Sequence, residues 1–458
     1  MMRRLSLILC FSLALGSEAY AVQVQEVASN SGVKAWLVEE HSLPLVTMRA
    51  AFTGSGSAYD KKGGEGRANM AASLLTCGAG DMDEREFNQA LEEKAIDLNT
   101  AVSEDMLEAS VQSLSEHTEQ AFSYLSLALS KPRFDSHAVE RTRRQMLSVL
   151  KQAEQDPSYL LGRAWHQQAF GEHPYGQPPL GTMNSISRLD RYDMDAYAHR
   201  YLTRENMILA VVGDITPESL KSLLDKYFAD LPAKYNPDSE IKEFQISPGN
   251  GPSVIEYNIP QSLVAFGLQG LKRDDPDYLT AYVMNQILGG DGDLTTLLNV
   301  ELRGKRGLTY GASSSLAPLK HAASWNGVFS TRNDHAFEAV NIMRAPLHAF
   351  KLKGTTDKEL NDAKKYLTGS FALNLDTNAD IAAFLINMQY NGLGKDYLEK
   401  RNAMVNAVTK EQVEAMANRL IDADKLTIVL VGNPTELKQP PAATPPSQAP
   451  ANAVPTPH

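Results

Sequence analysis

The sequence predicts an α+β protein: two homologous α/β domains in tandem repeat, each a mainly antiparallel sheet packed with helices. Three observations carry this. Two buried-strand patterns, Met207-Ile208-Leu209-Ala210-Val211-Val212-Gly213 and Leu426-Thr427-Ile428-Val429-Leu430-Val431-Gly432, each end in a glycine turn, about 220 positions apart. The openings of the two halves also correspond: 33–38 followed by 45–52 resembles 254–257 followed by 263–268. Between them, segments with apolar residues at helical spacing separate segments that alternate like strands.

In chain order, residues 1–21 read as a secretory signal peptide. Arg3 and Arg4 give a basic start, Leu5 to Leu15 an apolar run too short to span a bilayer, and Ala19-Tyr20-Ala21 a cleavage site. Cys10 follows Ile8-Leu9 with no small residue before it, which argues against a lipoprotein signal. The expectation is an exported protein, in the periplasm of a Gram-negative bacterium. Of the 2 cysteines only Cys77 remains after the leader, so no internal disulfide is expected and the core must carry stability. The formal charge of −11 argues against nucleic acid and against an anionic membrane surface as partners.

The first domain is read over 22–232. Gly63 to Gly78 reads as a short helix, Ala68 to Leu75, with Ala68, Ala71, Ala72 and Ser73 giving it a small-residue surface and Gly78 closing it. Glu84 to Ile96, Thr118 to Ser130 and Val139 to Ala153 have helical spacing. Met106 to Leu114 alternates like a strand. Residues 233–252, rich in Pro, Asp, Lys and Gly, read as a linker. The second domain is read over 253–438, with a helix from Asp277 to Leu288 that runs into Gly289-Gly290-Asp291-Gly292. No Gly-Lys-Thr comes after it, so this is no phosphate loop; a helix cap with a turn is its simplest reading. From 439 to 458 the chain is Pro, Ala, Thr, Ser and Gln, which cannot bury a core and predicts disorder.

Local metal motifs are absent. The 10 histidines include no pair three or four apart, and His166 and His173 are the nearest two. No Gly-x-Ser-x-Gly elbow supports a serine hydrolase.

The stretch from Gly56-Ser57-Ala58-Tyr59-Asp60 through Gly78 resembles the N-terminal signature of the pitrilysin/insulinase family of zinc metallopeptidases. There, Gly-Leu-Ala-His-Phe-Leu-Glu-His supplies two zinc-binding imidazoles and a general base, and a later helix supplies a third ligand, a Glu. On that pattern Asn69 stands at the first His, Ala72 at the base, Ser73 at the second His and Val149 at the third ligand. Ala and Val cannot bind a metal or move a proton, and neutral Asn and Ser are poor zinc ligands. The resemblance implies the family's scaffold without its catalyst, and no metal in this chain. His173-Pro174-Tyr175-Gly176 and Leu180-Gly181-Thr182 resemble the loop after the family's third-ligand helix.

In the second half, Arg303-Gly304-Lys305-Arg306-Gly307-Leu308-Thr309-Tyr310 matches the family's Arg-x-x-x-Gly-Leu-x-Tyr signature. In active members that Arg and Tyr contact the scissile carbonyl and nearby peptide backbone. A guanidinium fork and a phenol can together hold a developing oxyanion. Gly304 replaces the family's usual Glu and predicts a looser local helix. The resemblance also places a substrate-facing glycine loop at Gly289, Gly290 and Gly292. Loss of the zinc motif with retention of the Arg/Tyr pair implies the zinc-less subunit of a two-chain peptidase, whose homologous partner holds the zinc and which acts on peptides. The alternative is a binding or structural role without proteolysis, as in the family's respiratory-complex core proteins.

Overall fold

The computed structural model describes residues 23–290 and 292–435. The leader read over 1–21 and the tail over 439–458 lie outside the described residues.

Each half builds its sheet from strands rich in β-branched and apolar residues, joined either by short turns or by helical segments. The first sheet comprises β1 (Gln25–Ala28), β2 (Lys34–Glu39), β3 (Leu45–Thr53), β4 (Asp97–Val102), β5 (Met106–Leu114) and β6 (Met207–Gly213). Its order is β1-β2-β6-β3-β5-β4. The second comprises β7 (Pro252–Glu256), β8 (Gln261–Gln269), β9 (Ala312–Pro318), β10 (Ala323–Arg332) and β11 (Thr427–Gly432), in the order β7-β11-β8-β10-β9. β2-β6-β3-β5-β4 and β7-β11-β8-β10-β9 correspond in order and in sense. The last strand of each half runs parallel to the first of the set and antiparallel to the second. The remaining neighbours are antiparallel. Both terminal glycines are close-approach positions: a Cβ on Gly213 would lie 2.1 Å from the Leu45 carbonyl oxygen, and on Gly432 2.5 Å from Ser262 Oγ. That is why both repeated strands end in glycine.

The first half carries helices α1 (Arg67–Leu74), α2 (Glu84–Glu92), α3 (Thr118–Ser130), α4 (Ser136–Ala153), α5 (Pro157–Phe170), α6 (Met183–Arg188), α7 (Arg191–Tyr201) and α8 (Pro217–Tyr227). The second carries α9 (Tyr278–Leu288), α10 (Leu297–Asn299), α11 (Ala336–Lys353), α12 (Asp357–Gly369), α13 (Asn378–Tyr390), α14 (Tyr397–Ala407) and α15 (Lys410–Leu420). Side-chain caps start many of them. Asp83, Thr182, Asp190, Thr356, Thr377 and Thr409 each form a reciprocal capping box.

One expectation is modified, and two features go beyond the sequence reading. The helix read to Ile96 stops at Glu92, because Ala95 turns the chain at φ 49° and Ile96 turns inward just before edge strand β4 begins at Asp97. The segment read as a linker carries no helix or strand over 233–251 and packs against both halves. Ile241 and Ile246 are buried, the Lys242 carbonyl accepts from His173 Nε2 at 2.9 Å, and Phe244 N–H donates to the His321 carbonyl at 2.8 Å. The other feature is which helix covers which sheet. α5 comes from the first half but packs on β11 and β8 of the second sheet, and α13 from the second half packs on β6 and β3 of the first. Val38, Ala51, Ala210 and Val212 thus share one core with Ala382, Leu385, Ile386 and Met388. The two halves exchange helices.

Candidate functional site

α1 is the helix that would carry the zinc motif. It starts from Gly66, in the left-handed region at φ 91°, and is anchored by Asp60. The Asp60 carboxylate accepts from Gly66 N–H at 2.9 Å and Ala68 N–H at 3.1 Å. Arg67, standing where the family pattern has Leu, is only 2 % exposed. Its guanidinium reaches Asp238 at 2.7 Å and Asp60 at 3.5 Å, donates to the Tyr59 carbonyl, and lies over the rings of Tyr197 and Tyr201. Burial pushes the Asp60 carboxyl up to about 7 against the pull of Arg67 and the two amides.

The ligand positions are put to other uses. Asn69 donates its amide to the Pro179 carbonyl at 2.8 Å, tying α1 to the loop after α5. Ser73 folds its hydroxyl back onto the Asn69 carbonyl at 2.9 Å. Ala72 is buried, and its carbonyl accepts from Thr100 Oγ1 of β4. Val149 is an exposed apolar residue on α4, the helix against which α1 packs. An amide, a hydroxyl and an isopropyl group, with the first two already bonded to backbone carbonyls, do not fit a zinc ion. Among the described residues no group of three or more His, Cys, Asp or Glu is placed to hold a metal.

The Arg/Tyr segment is built differently. After α10 the helix widens into a π-turn, Val300–Gly304, in which Lys305 N–H bonds the Val300 carbonyl at 3.0 Å. The looseness expected from Gly304 is realised there. Leu302 is buried and anchors the turn. Two asparagines clamp the loop that leads from this turn into β9. Asn299, almost fully buried, accepts from Ala312 N–H at 2.8 Å and donates to the Ala312 carbonyl at 2.8 Å, bracketing the loop. Asn285 accepts from Ser314 Oγ and from the Trp325 indole N–H, and donates to the Ser314 carbonyl. The backbone of this segment is anchored, yet the two motif side chains, Arg303 in the π-turn and Tyr310 on the loop, are not consumed. Tyr310 is 82 % exposed and Arg303 is exposed. Among the described residues neither guanidinium nor phenol has a hydrogen-bond or ion-pair partner. The adjacent cations behave otherwise: Glu301 holds Lys305 at 2.5 Å and Arg306 at 2.6 Å.

The glycine run divides. Gly289 and Gly290 are buried. A Cβ on Gly289 would meet Ser314 Oγ at 2.7 Å, and on Gly290 Gln286 Oε1 at 2.3 Å, while Ser314 N–H bonds the Gly289 carbonyl at 2.7 Å. Packing against β9 and α9 explains these two, so they face the protein rather than a substrate. Gly292, at φ 68°, instead lines a cavity of about 630 Å³ between α5 and the second sheet. Gly311, the neighbour of Tyr310, lines the same cavity.

Arg67, Asn285 and Asn299 carry no motif in the sequence. The available signal was polarity out of place: an arginine inside a small-residue helix, and asparagines within otherwise apolar helical runs.

Two equivalent half-units, the first with a ligand-free metal helix and the second with an unpaired Arg and Tyr on a clamped loop, define a zinc-less member of a two-domain metallopeptidase fold. Two family descriptions match in succession along the chain: "Insulinase (Peptidase family M16)" over 47–183 and "Peptidase M16 inactive domain" over 188–367. The chain belongs to the M16 peptidase family and lacks its zinc motif. It is 27 % identical to the "Non-peptidase homolog YmxG" of Helicobacter pylori, over 94 % of this chain and 99 % of that one. It is 24 % identical to the mitochondrial-processing peptidase subunit beta of Saccharomyces cerevisiae, over 83 % of this chain and 85 % of that one. The crystal structure of a peptidase M16 inactive domain from Pseudomonas fluorescens is similar at TM-score 0.85 and 29 % identity, covering 92 % of this chain and 100 % of that one.

Proposed function

We propose that this chain is the non-catalytic, zinc-less subunit of an exported heterodimeric metallopeptidase of the Gram-negative periplasm. A homologous partner holds the zinc, and Arg303 and Tyr310 reach peptide substrate at that partner's site. One observation carries the reading. Glu301 pairs with both Lys305 and Arg306, whereas Arg303, in the π-turn, and Tyr310, on the loop that Asn299 and Asn285 clamp into β9, stand exposed and unpaired. Unused donors carried on an anchored backbone are available to a developing oxyanion. Likeness to a chain whose name makes it one subunit of a processing peptidase supports assembly, and likeness to a non-peptidase homologue supports a non-catalytic role. Among the described residues no helix is long and apolar enough to cross a membrane.

In this role the zinc chemistry is the partner's. Arg303 presents a planar fork and Tyr310 a single hydroxyl, which together orient a peptide carbonyl and stabilise charge that develops on its oxygen. The test is reconstitution with a zinc-bearing homologue. The two chains should share one gel-filtration peak, with an interface in the obligate range above about 2,000 Å², and the complex should cleave peptide. Tyr310→Phe keeps the ring and should lower turnover roughly 10- to 1,000-fold. Full turnover in Tyr310→Phe, with the complex intact by light scattering, would assign the chain to a scaffold role without proteolytic contact.

A further inference from the structure

We infer that the cavity between α5 and the second sheet is a specificity pocket for a large apolar side chain, aromatic above all, of an extended peptide passing Tyr310. This rests on the reading of the chain as a substrate-contacting subunit. The cavity, about 630 Å³, falls within the size range of ligand sites, roughly 300–1,000 Å³. Its floor is the face of β8 and β10, where Leu263, Ala265 and Val328 point outward, and its wall is Leu161, Gly162 and Trp165 of α5. Val328 is 49 % exposed, an apolar residue in mid-strand left without a cover.

The internal repeat supplies a control. The matching place in the first half lies on β3, β5 and β4 beside α13. It is a smaller hollow of about 290 Å³, lined by Thr47, Arg49, Asp97, Asn99, Glu108 and Gln112. Arg49 and Glu108 bridge it at 2.9 Å. Both halves leave this part of the sheet uncovered, but the first lines it mainly with polar and charged side chains beside Ala101, Val111 and Ala379, whereas the second lines it mainly with apolar groups beside Ser158, His166, Ser313, Asn326 and Ser330. The fold therefore does not by itself produce an apolar cavity there.

Gly162 is a second independent sign. It sits inside α5, where glycine is a poorer helix former than alanine. A Cβ there would meet nothing within 4 Å, so no close packing requires glycine. Its absent side chain leaves the cavity open. The location ties the cavity to peptide: Gly311 and Gly292, on either side of the Arg/Tyr element, both line it. Addition of a strand to the end of β9 beside Tyr310 is obstructed, because Asn299 and Gly289 already occupy the outward amides of Ala312 and Ser314, the first two on that edge. A peptide in this region is therefore read by burying a side chain, not by extending the sheet.

The experiment uses the full chain and two fluorescein-labelled decapeptides of Ser, Thr and Ala, one with a central Phe and one with Ser in its place. Anisotropy titration should show the Phe peptide binding about 10- to 100-fold more tightly, as burial of one aromatic side chain predicts. Gly162→Leu fills the cavity and should abolish the preference, with a thermal midpoint unchanged or raised. Gly162→Ala should keep it. Equal binding of the two peptides, binding of neither, or an unchanged preference in Gly162→Leu would overturn the inference. So would tight binding of laurate without any Phe preference, which would assign the cavity to an acyl chain. In the reconstituted complex the two readings separate. If Gly162→Leu leaves cleavage selectivity untouched while Tyr310→Phe still loses turnover, the pocket fails and the proposed function stands. Phe preference on the isolated chain, with full turnover in Tyr310→Phe, gives the reverse.

Discussion

Arg67→Ala is the sharpest probe of how α1 survives without a metal. In the native chain the Arg67 side chain is 2 % exposed and the Asp60 side chain 0 % exposed. Truncation strands the Asp60 carboxylate away from water, although Gly66 and Ala68 N–H still reach it. Asp238 keeps Arg200 as a partner and suffers less. Removing one member of a buried pair costs about 3–5 kcal/mol, and the lost stacking on Tyr197 and Tyr201 falls inside that sum rather than adding to it. With a urea slope of about 3 kcal/mol per molar, the unfolding midpoint should fall by roughly 1–1.7 M. Circular dichroism at equilibrium in urea reads it. The double variant Asp60→Asn with Arg67→Leu replaces the charges by a neutral amide and the apolar residue of the family pattern, and should recover most of the loss. A shift below roughly 0.3 M in Arg67→Ala, about 1 kcal/mol on that slope, would refute the idea that this pair holds the helix. A double variant as weak as the single one would show that shape, not charge, is what Arg67 contributes.

Arg303→Lys should lower turnover of the reconstituted complex nearly as far as Tyr310→Phe, because an ammonium cannot reproduce the planar fork; steady-state kinetics with wild-type rates would exclude bidentate contact. Elemental analysis of the purified chain should find no stoichiometric zinc, since Asn69, Ser73 and Val149 replace the ligands, and one tightly held zinc per chain would contradict that. Acid should loosen the turn at His173. Its Nε2–H donates to Lys242 and its Nδ1 accepts from Tyr175 N–H, so the neutral ring is the bonded form, and burial, helped by nearby His321, holds its pKa below the usual 6.5. A depressed histidine pKa leaves stability full above 6.5 and lost as pH falls through the folded value. The thermal midpoint should therefore drop on going from neutral pH to about 5, less steeply in His173→Asn; parallel curves would remove His173 as the cause.

Much of the fold was legible because its signals are local. Met106–Leu114 alternates with period two and is strand β5, and Thr118–Ser130 has helical spacing and is α3. The matched glycines of the two repeated strands announced that the sheets would be alike, since each glycine answers a close approach by a neighbouring strand. Partner choice was not legible. The spacing of α5 and α13 shows which face is apolar but not which sheet that face will meet. Nor could the pattern separate Gly289 and Gly290, which pack, from Gly292, which lines a cavity. That distinction depends on Ser314 and Gln286 approaching from elsewhere. Arg303 and Tyr310 were visible as a motif, whereas the asparagines that clamp their loop act through backbone groups far along the chain.

The exchanged helices limit how this molecule can move. A hinge between the halves would have to draw α13 off β6 and β3 and α5 off β11 and β8 together, exposing Leu385, Ile386, Trp165 and Val429 to water. Neither half is therefore a stable fragment, and a cut in the segment between them should not release two folded pieces. Flexing within one chain is therefore costly. In the proposed assembly, entry of a peptide would be governed by the contact between subunits, by how tightly they close and how often they part, with each chain acting as a single stiff jaw.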